Sequence, residues 1–231
     1  MLRKRTLLKP ATAGDVDTRL LLHLNGNVTD SSMYSVSTSQ KSGTTFTTGK
    51  FGQAFQGTVM QSYTDESPIT IPNNYIRNLI NGNFTIDFWL NVAEIPAYIG
   101  CQVFLTGLDP VAMTYPLSIA ISPPNANQYT VSIGGYYNSA PTNILEFVIS
   151  DEDMYRWTHF AIQRYSDTII VFINGIQMGQ SSPNFNSTYL SQFTGTVELV
   201  CITPTAIDEF RISSTARYSG DFTPPTAPYT A

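Results

Sequence analysis

The stretch that most constrains this chain is Trp157-Thr-His-Phe-Ala-Ile-Gln-Arg-Tyr-Ser-Asp-Thr-Ile-Ile-Val-Phe-Ile-Asn-Gly-Ile-Gln-Met-Gly179. It reads as three consecutive antiparallel strands joined by two tight turns, the second at Asn174-Gly175. Asn-Gly between alternating apolar runs favours a hairpin, because both residues tolerate the positive φ of a type I′ turn. The middle strand, Thr168 to Ile173, is apolar on both faces, as expected of a strand in a sheet covered on both sides. Such a meander belongs inside a layered β structure, with the rest of the chain sandwiching and extending it.

Thirteen Tyr, 13 Phe, 15 Gly and 14 Pro favour strands and turns over helices. Charged residues make up only 13% of the chain, so Ser, Thr, Asn, Gln and Tyr must cover its surface, which suits hydrogen-bonding contacts better than electrostatic ones. The net charge of −5 is unevenly placed. Arg3, Lys4, Arg5 and Lys9 fall in the first nine positions, where no acid appears, leaving eight basic residues against 17 acidic ones. An acidic body argues against nucleic-acid binding, which needs clustered Lys and Arg. No run is long and apolar enough to span a bilayer, and Thr6-Leu7-Leu8 is too short for a signal-peptide apolar region. Cys101 and Cys201 are the only cysteines. Two thiols in a chain with an ample core do not make a disulfide framework, and two buried free thiols is the plainer expectation.

Taken in order, residues 1–18 read as a basic arm, an anchor or a frayed end. The body runs over 19–222, and 223–231 is an extended, proline-locked tail. In the first strand Leu20, Leu22 and Leu24 alternate with Arg19, Leu21 and His23. A short exposed strand is expected within 33–50, then strands from Phe51 and over 69–71, and a helical turn near 73–79. Phe84-Thr-Ile-Asp-Phe-Trp-Leu90 alternates most cleanly, placing Phe84, Ile86, Phe88 and Leu90 inward and Thr85, Asp87 and Trp89 outward. Further strands are expected over 99–106, 116–122, 128–134 and 143–149, with a break at Gly134-Gly135, and finally over 196–202 and 207–212. About a dozen short strands with turn signals between them imply an all-β fold, a jelly-roll sandwich of two antiparallel sheets.

These segments carry a resemblance. The order of Leu20-Leu-Leu-His-Leu-Asn-Gly26, Asp30-Ser-Ser32, Lys50-Phe-Gly-Gln-Ala-Phe55, Phe84-Thr-Ile-Asp-Phe-Trp89, Trp157-Thr-His-Phe-Ala161, Val171-Phe-Ile-Asn-Gly175 and Ile207-Asp-Glu-Phe-Arg-Ile212 resembles the laminin-G-like, concanavalin A-like lectin/glucanase superfamily. The closing Ala216-Arg-Tyr-Ser-Gly-Asp-Phe-Thr-Pro-Pro225 is similar to the version in bacteriophage tail and virion structural proteins. The resemblance spans roughly residues 19–228 and implies a concanavalin A-like jelly roll often used for glycan binding or adhesion.

Little in the sequence supports catalysis. A glycan hydrolase of this fold should carry paired carboxylates spaced two apart on one strand. No Glu-x-Asp-x-Glu occurs, Asp87 reads as an outward strand carboxylate in water, and Asp151-Glu-Asp153 reads as a solvated turn. With two histidines, His159 expected to be packed or hydrogen-bonded and His23 sharing a face with Leu21, the chain is expected not to be an enzyme. Sugar binding uses aromatic faces beside amides and hydroxyls. The candidates are Tyr136, Tyr137 and Asn138, with Tyr98, Tyr63 and Trp89 behind them; ordinary aromatic packing is the alternative for each. On the last strand Asp208 shares the parity of Phe210 and Ile212, so it needs a partner. That partner is either backbone N–H groups of the Asn25–Ser32 loop or a structural calcium held with Asp30. In related jelly rolls calcium often joins the first loop to the last strand, but Asn25 stands where many relatives have Asp, and the metal-free arrangement is favoured.

The expectation is thus a bacteriophage virion structural protein, on a tail fibre or decorating the capsid and assembled in the host cytoplasm. The arm would dock on other virion proteins and the jelly roll would bind host-surface glycans. No membrane insertion is expected, and a homo-oligomer is compatible with the sequence. The alternatives are a stand-alone carbohydrate-binding module and, less favoured, a glycan hydrolase.

Overall fold

The computed structural model describes residues 15–57, 69–72, 82–92, 101–104, 115–122, 128–137, 140–150, 155–181, 197–201 and 205–231. For 101–104, 115–118, 128, 135–137, 140–143 and 197–201 it describes the backbone alone. These residues form strands β1 (Thr18–Leu22), β2 (Ser39–Gln40), β3 (Thr45–Thr48), β4 (Gln53–Gln56), β5 (Ile69–Ile71), β6 (Phe84–Val92), β7 (Cys101–Phe104) and β8 (Tyr115–Ile121). They continue with β9 (Gln128–Tyr137), β10 (Ala140–Ser150), β11 (Thr158–Tyr165), β12 (Thr168–Ile173), β13 (Ile176–Gln180), β14 (Val197–Cys201) and β15 (Thr205–Ser213). The larger sheet runs β13-β12-β11-β6-β15-β4-β3, with β1 also on β15. The smaller runs β10-β9-β8-β7-β14-β5-β2. The strand pairs described are antiparallel, so the expected two-sheet jelly roll is what the chain forms.

The core follows from alternation. Phe84, Ile86, Phe88 and Leu90 of β6 meet Phe160 and Ile162 of β11, Ile169 and Val171 of β12, and Phe210 and Ile212 of β15. From the smaller sheet, Ile119, Ile121, Tyr129, Val131 and Ile133 close against them. Residues of one parity along each strand share a face, and the apolar sets pack inward.

The meander has the expected strands and turns. Asn174 (φ 49°) and Gly175 (φ 81°) both lie in the left-handed region that a type I′ turn requires. Its position differs from expectation: it forms one flank of the larger sheet, and β6 and β15 lie nearer the middle. Two boundaries also move. Gly134-Gly135 does not end a strand, because β9 continues to Tyr137 while its neighbours shift register there, between Tyr115 and Ser118 and between Asn143 and Leu145. Glycine fits such irregularities, where strand backbones depart from the regular ladder. Gly52 (φ 88°) lies in a turn, and β4 starts at Gln53. The proposed helical turn at 73–79 lies outside the described residues.

The alternation also misleads on the outer face of the larger sheet. Thr85, Asp87 and Trp89 do not face water; all three are buried, as is Leu21. Residues 214–231 fold back over this face, with Tyr218 and Phe222 packed on Phe172 and Tyr229 beside His159. A sheet is amphipathic only if one face stays open, and here the C-terminal segment covers it.

Candidate functional site

Two sheet faces are available to carry function. The covered one holds buried charges. Arg211 of β15 donates from Nε to Asp87 Oδ1 at 2.9 Å and from Nη2 to Oδ2 at 2.5 Å. Tyr218 Oη donates to the same Oδ2 at 2.6 Å. Burial alone would push the Asp87 carboxyl up, but these donors hold it below the usual carboxylate range. The Tyr229 ring lies on the Arg211 guanidinium, 3.8 Å from its carbon to the ring centroid, its backbone N–H donates to Glu209 Oε2 at 2.7 Å, and its hydroxyl meets His159 Nε2 at 2.7 Å. Glu209 also binds His23 Nδ1 at 2.7 Å, which raises the His23 pKa. Burial is the main reason the His159 pKa falls to about 4, with Arg211 adding to the effect against Asp87.

Register explains this gathering. Asp208 pairs with Trp89 and Arg211 with Asp87, leaving Glu209 and Phe210 opposite Phe88 alone. Glu209 sits at φ 52° to make this bulge. The bulge breaks the parity read from sequence. Asp208 joins the Trp89 face, while Ile207, Phe210 and Ile212 point into the core. Its Oδ2 accepts from the Phe51 N–H at 2.8 Å, so the backbone partner is the turn before β4 rather than the Asn25–Ser32 loop. Its Oδ1 is buried without a partner, and burial raises the pKa to about 6.

Asp30 does not share that site. Its Oδ1 accepts from the N–H groups of Leu21 and Ser32, and its Oδ2 from the Ser32 hydroxyl and the Val36 N–H. Asn25 Oδ1 accepts from the Gln53 N–H at 2.6 Å. The pair Asp30 and Asp208 thus shows no common partner, and among the described residues no cluster of three or more His, Cys, Asp and Glu is arranged to hold a metal. Among the described residues, the orphaned Oδ1 of Asp208 is the feature that fits a cation.

Trp89 was a candidate ligand platform, but it is 5% exposed. Phe51 and His159 meet it edge-on, and Lys50 Nζ lies 4.3 Å from the ring centroid. A sugar ring cannot stack there while these contacts hold. Tyr136 and Tyr137 lie at the end of β9, paired with Pro141 and Ala140 of β10, where only their backbone is described. Asn138, Tyr98, Tyr63 and Asp151–Asp153 lie outside the described residues. Cys201 pairs with Val103, two positions along β7 from Cys101.

The smaller sheet presents the second face. Glu146, Val148 and Ser150 of β10 and Ser122 after β8 are exposed, with Thr130 and Ser132 of β9 half-buried beside them. The register sets Glu146 against Ser132 and Val148 against Thr130, and the Ser132 hydroxyl donates to Glu146 Oε2 at 3.5 Å. Short hydroxyls, one carboxylate and one exposed aliphatic side chain can together hydrogen-bond and support a polyhydroxylated ligand.

Residues that composition and spacing did not single out form the covered face: Arg211, Glu209, Tyr218 and Tyr229. The signal was present in the opposite charges of Asp87 and Arg211, but it becomes legible only once β6 and β15 are known to be neighbours.

Comparison with known proteins agrees with this architecture. No curated protein matches the sequence. Among solved structures, the chain is similar to the binding domain of botulinum neurotoxin DC in complex with SialylT, at 14% identity and TM-score 0.59, covering 88% of this chain and 49% of that one. It is similar to a structure of botulinum neurotoxin type C, whose cell entry depends on interaction with two ganglioside molecules, at 14% identity and TM-score 0.61, covering 87% and 49%. A third likeness is the binding domain of Paraclostridial Mosquitocidal Protein 1, at 15% identity and TM-score 0.57, covering 87% and 50%. At these identities the likeness is one of fold, and this chain spans about half the length of those domains. A laminin-G-type family model matches residues 63–221, so the chain belongs to the concanavalin A-like lectin/glucanases superfamily.

Proposed function

We propose that the chain is a non-enzymatic, lectin-like adhesion module that binds cell-surface glycans, carried on a bacteriophage virion. The observation supporting the binding reading is the asymmetry of the two faces. One sheet is closed by the C-terminal segment and filled with internally paired charges, and the other exposes hydroxyls, Glu146 and Val148. Asp87 stands in a buried ion pair, which favours binding over hydrolysis because a catalytic carboxylate must reach its substrate. The ligands of the toxin relatives in fold, SialylT and gangliosides, make sialylated glycans the first class to test.

A glycan array with the full chain tests this reading. Binding is expected, and replacing Val148 by Arg should abolish it while leaving the melting temperature unchanged. Binding to no glycan would overturn the lectin assignment, and release of reducing sugar from a polysaccharide would overturn the non-enzymatic one.

The virion setting is supported by the closing segment Ala216–Pro225 and the basic arm. Asp15 receives hydrogen bonds from Thr18 and Arg217, and Thr18 is buried, so a deletion that tests the arm should stop at residue 14. Deleting residues 1–14 should prevent incorporation into particles and leave the sandwich folded. Normal incorporation would remove the arm from assembly.

A further inference from the structure

We propose that residues 214–231 form an acid-released strap: protonation of His159 detaches the Tyr229 end while the two sheets stay folded. The strap has no regular strand among its described residues and is held at separate points. The Tyr218 N–H donates to Gln163 Oε1 at 3.0 Å, and Gln163 Nε2 returns a bond to the Tyr218 carbonyl. The Phe222 N–H donates to the Gly175 carbonyl at 2.9 Å, and Asp221 accepts from the Gln177 N–H. The far end is held by Tyr229, through Glu209, the Arg211 guanidinium and His159.

The seat of Tyr229 does not accommodate a second cation. His159 is fully buried, with Trp89 and Phe222 rings beside it, Nε2 on the Tyr229 hydroxyl and Nδ1 without a partner. The charged and titratable groups around it are Asp87 from β6, Arg211 and Glu209 from β15, and Tyr218 and Tyr229 from the strap. Lys50 lies on Trp89, and His23 meets Glu209 at 2.7 Å. Asp87 is already matched by Arg211 and Tyr218, and Glu209 by the Tyr229 N–H and His23. An imidazolium here would be a cation near Arg211 with an unpaired buried N–H, and such groups are costly to keep from water. Moving Tyr229 outward admits water to both ring nitrogens. The low pKa of His159, about 4, agrees with a closed state that resists the proton.

Hydrogen exchange on the full chain tests this, corrected for the intrinsic pH dependence of exchange. Between neutral pH and about pH 4 the Tyr229 amide should lose protection on the order of a hundredfold, the ratio implied by moving the imidazole from about 4 to its free value. Amides of β6 and β15 should stay protected, and His159→Gln should show no such acid loss. NMR titration of the His159 ring in the unmodified protein gives a second measure, in which ring protonation and Tyr229 release should follow one curve. Retained protection at acid pH, simultaneous loss from the sheets, acid release persisting in a folded His159→Gln variant, or separate titration curves would each overturn the strap mechanism.

Discussion

Arg211 and Asp87 face each other across β15 and β6 as a two-pronged ion pair, buried beneath Tyr218 and Tyr229. Desolvating both charges limits what the pair adds to stability, but removing one partner strands the other out of water. Arg211→Ala should therefore destabilise the fold by about 3–5 kcal/mol. Replacing Arg211 and Asp87 together by Met and Leu should cost less than the single change. Urea unfolding of the unmodified protein, Arg211→Ala and the double variant is the measurement, and an Arg211→Ala variant as stable as the unmodified protein would contradict the assignment.

The contribution of His159 to stability should fall on acidification, opposed over the same range by Asp208, whose pKa is raised by burial to about 6 and which favours the folded state as pH drops. The folded His159 pKa of about 4 lies below the unfolded 6.5, so the folded state binds fewer protons between those values. Its stabilisation is complete above about pH 6.5 and is lost progressively towards pH 4, by about 3 kcal/mol in all. His23 acts in the opposite sense: its pKa is raised by Glu209, so its contribution is present below its unfolded pKa and fades as pH rises through the folded value. Melting curves of the unmodified protein, His159→Gln and His23→Gln across this range separate the two, the first substitution flattening the acid side and the second the neutral side.

Gly175→Ala should destabilise by more than about 1 kcal/mol. The residue sits at φ 81°, and a Cβ there would collide with the Phe222 carbonyl oxygen, whose own N–H is bonded to the Gly175 carbonyl. Strain in the turn and displacement of the strap act together. The drop in melting temperature should be accompanied by faster exchange of the Phe222 amide, and Gly43→Ala, at φ 92° with no atom near the added Cβ, supplies the comparison for strain alone.

Calcium and a chelator should leave the melting temperature unchanged. Asp30 is occupied by four hydrogen bonds from its own loop and from Leu21, and Asn25 by Gln53. A calcium-dependent rise, abolished by Asp208→Asn, would instead place an ion on the unpaired Oδ1 of Asp208.

Much of the fold was legible because strand alternation and turn chemistry are local. Phe84, Ile86, Phe88 and Leu90 point into the core as their spacing requires, and Asn174-Gly175 turns as those two residue types dictate. The site was less legible. Trp89 and Asp87 read as outward and solvated because nothing near them in sequence indicates a second cover. The parity of Asp208 fails at Glu209, where the bulge brings two residues opposite one.

The sequence by itself determined the β sandwich, the meander and the apolar layer between the sheets, since each follows from a side-chain period of two and from residues suited to turns. Only the tertiary structure decided which sheet face is open. That depends on residues 214–231 returning across β6, β11, β12 and β15 to seat Tyr229 between His159 and Arg211. Tyr229 lies 70 positions from His159 along the chain. Contacts at that separation leave no local periodicity to read, because pairing and coverage, rather than propensity, bring the groups together.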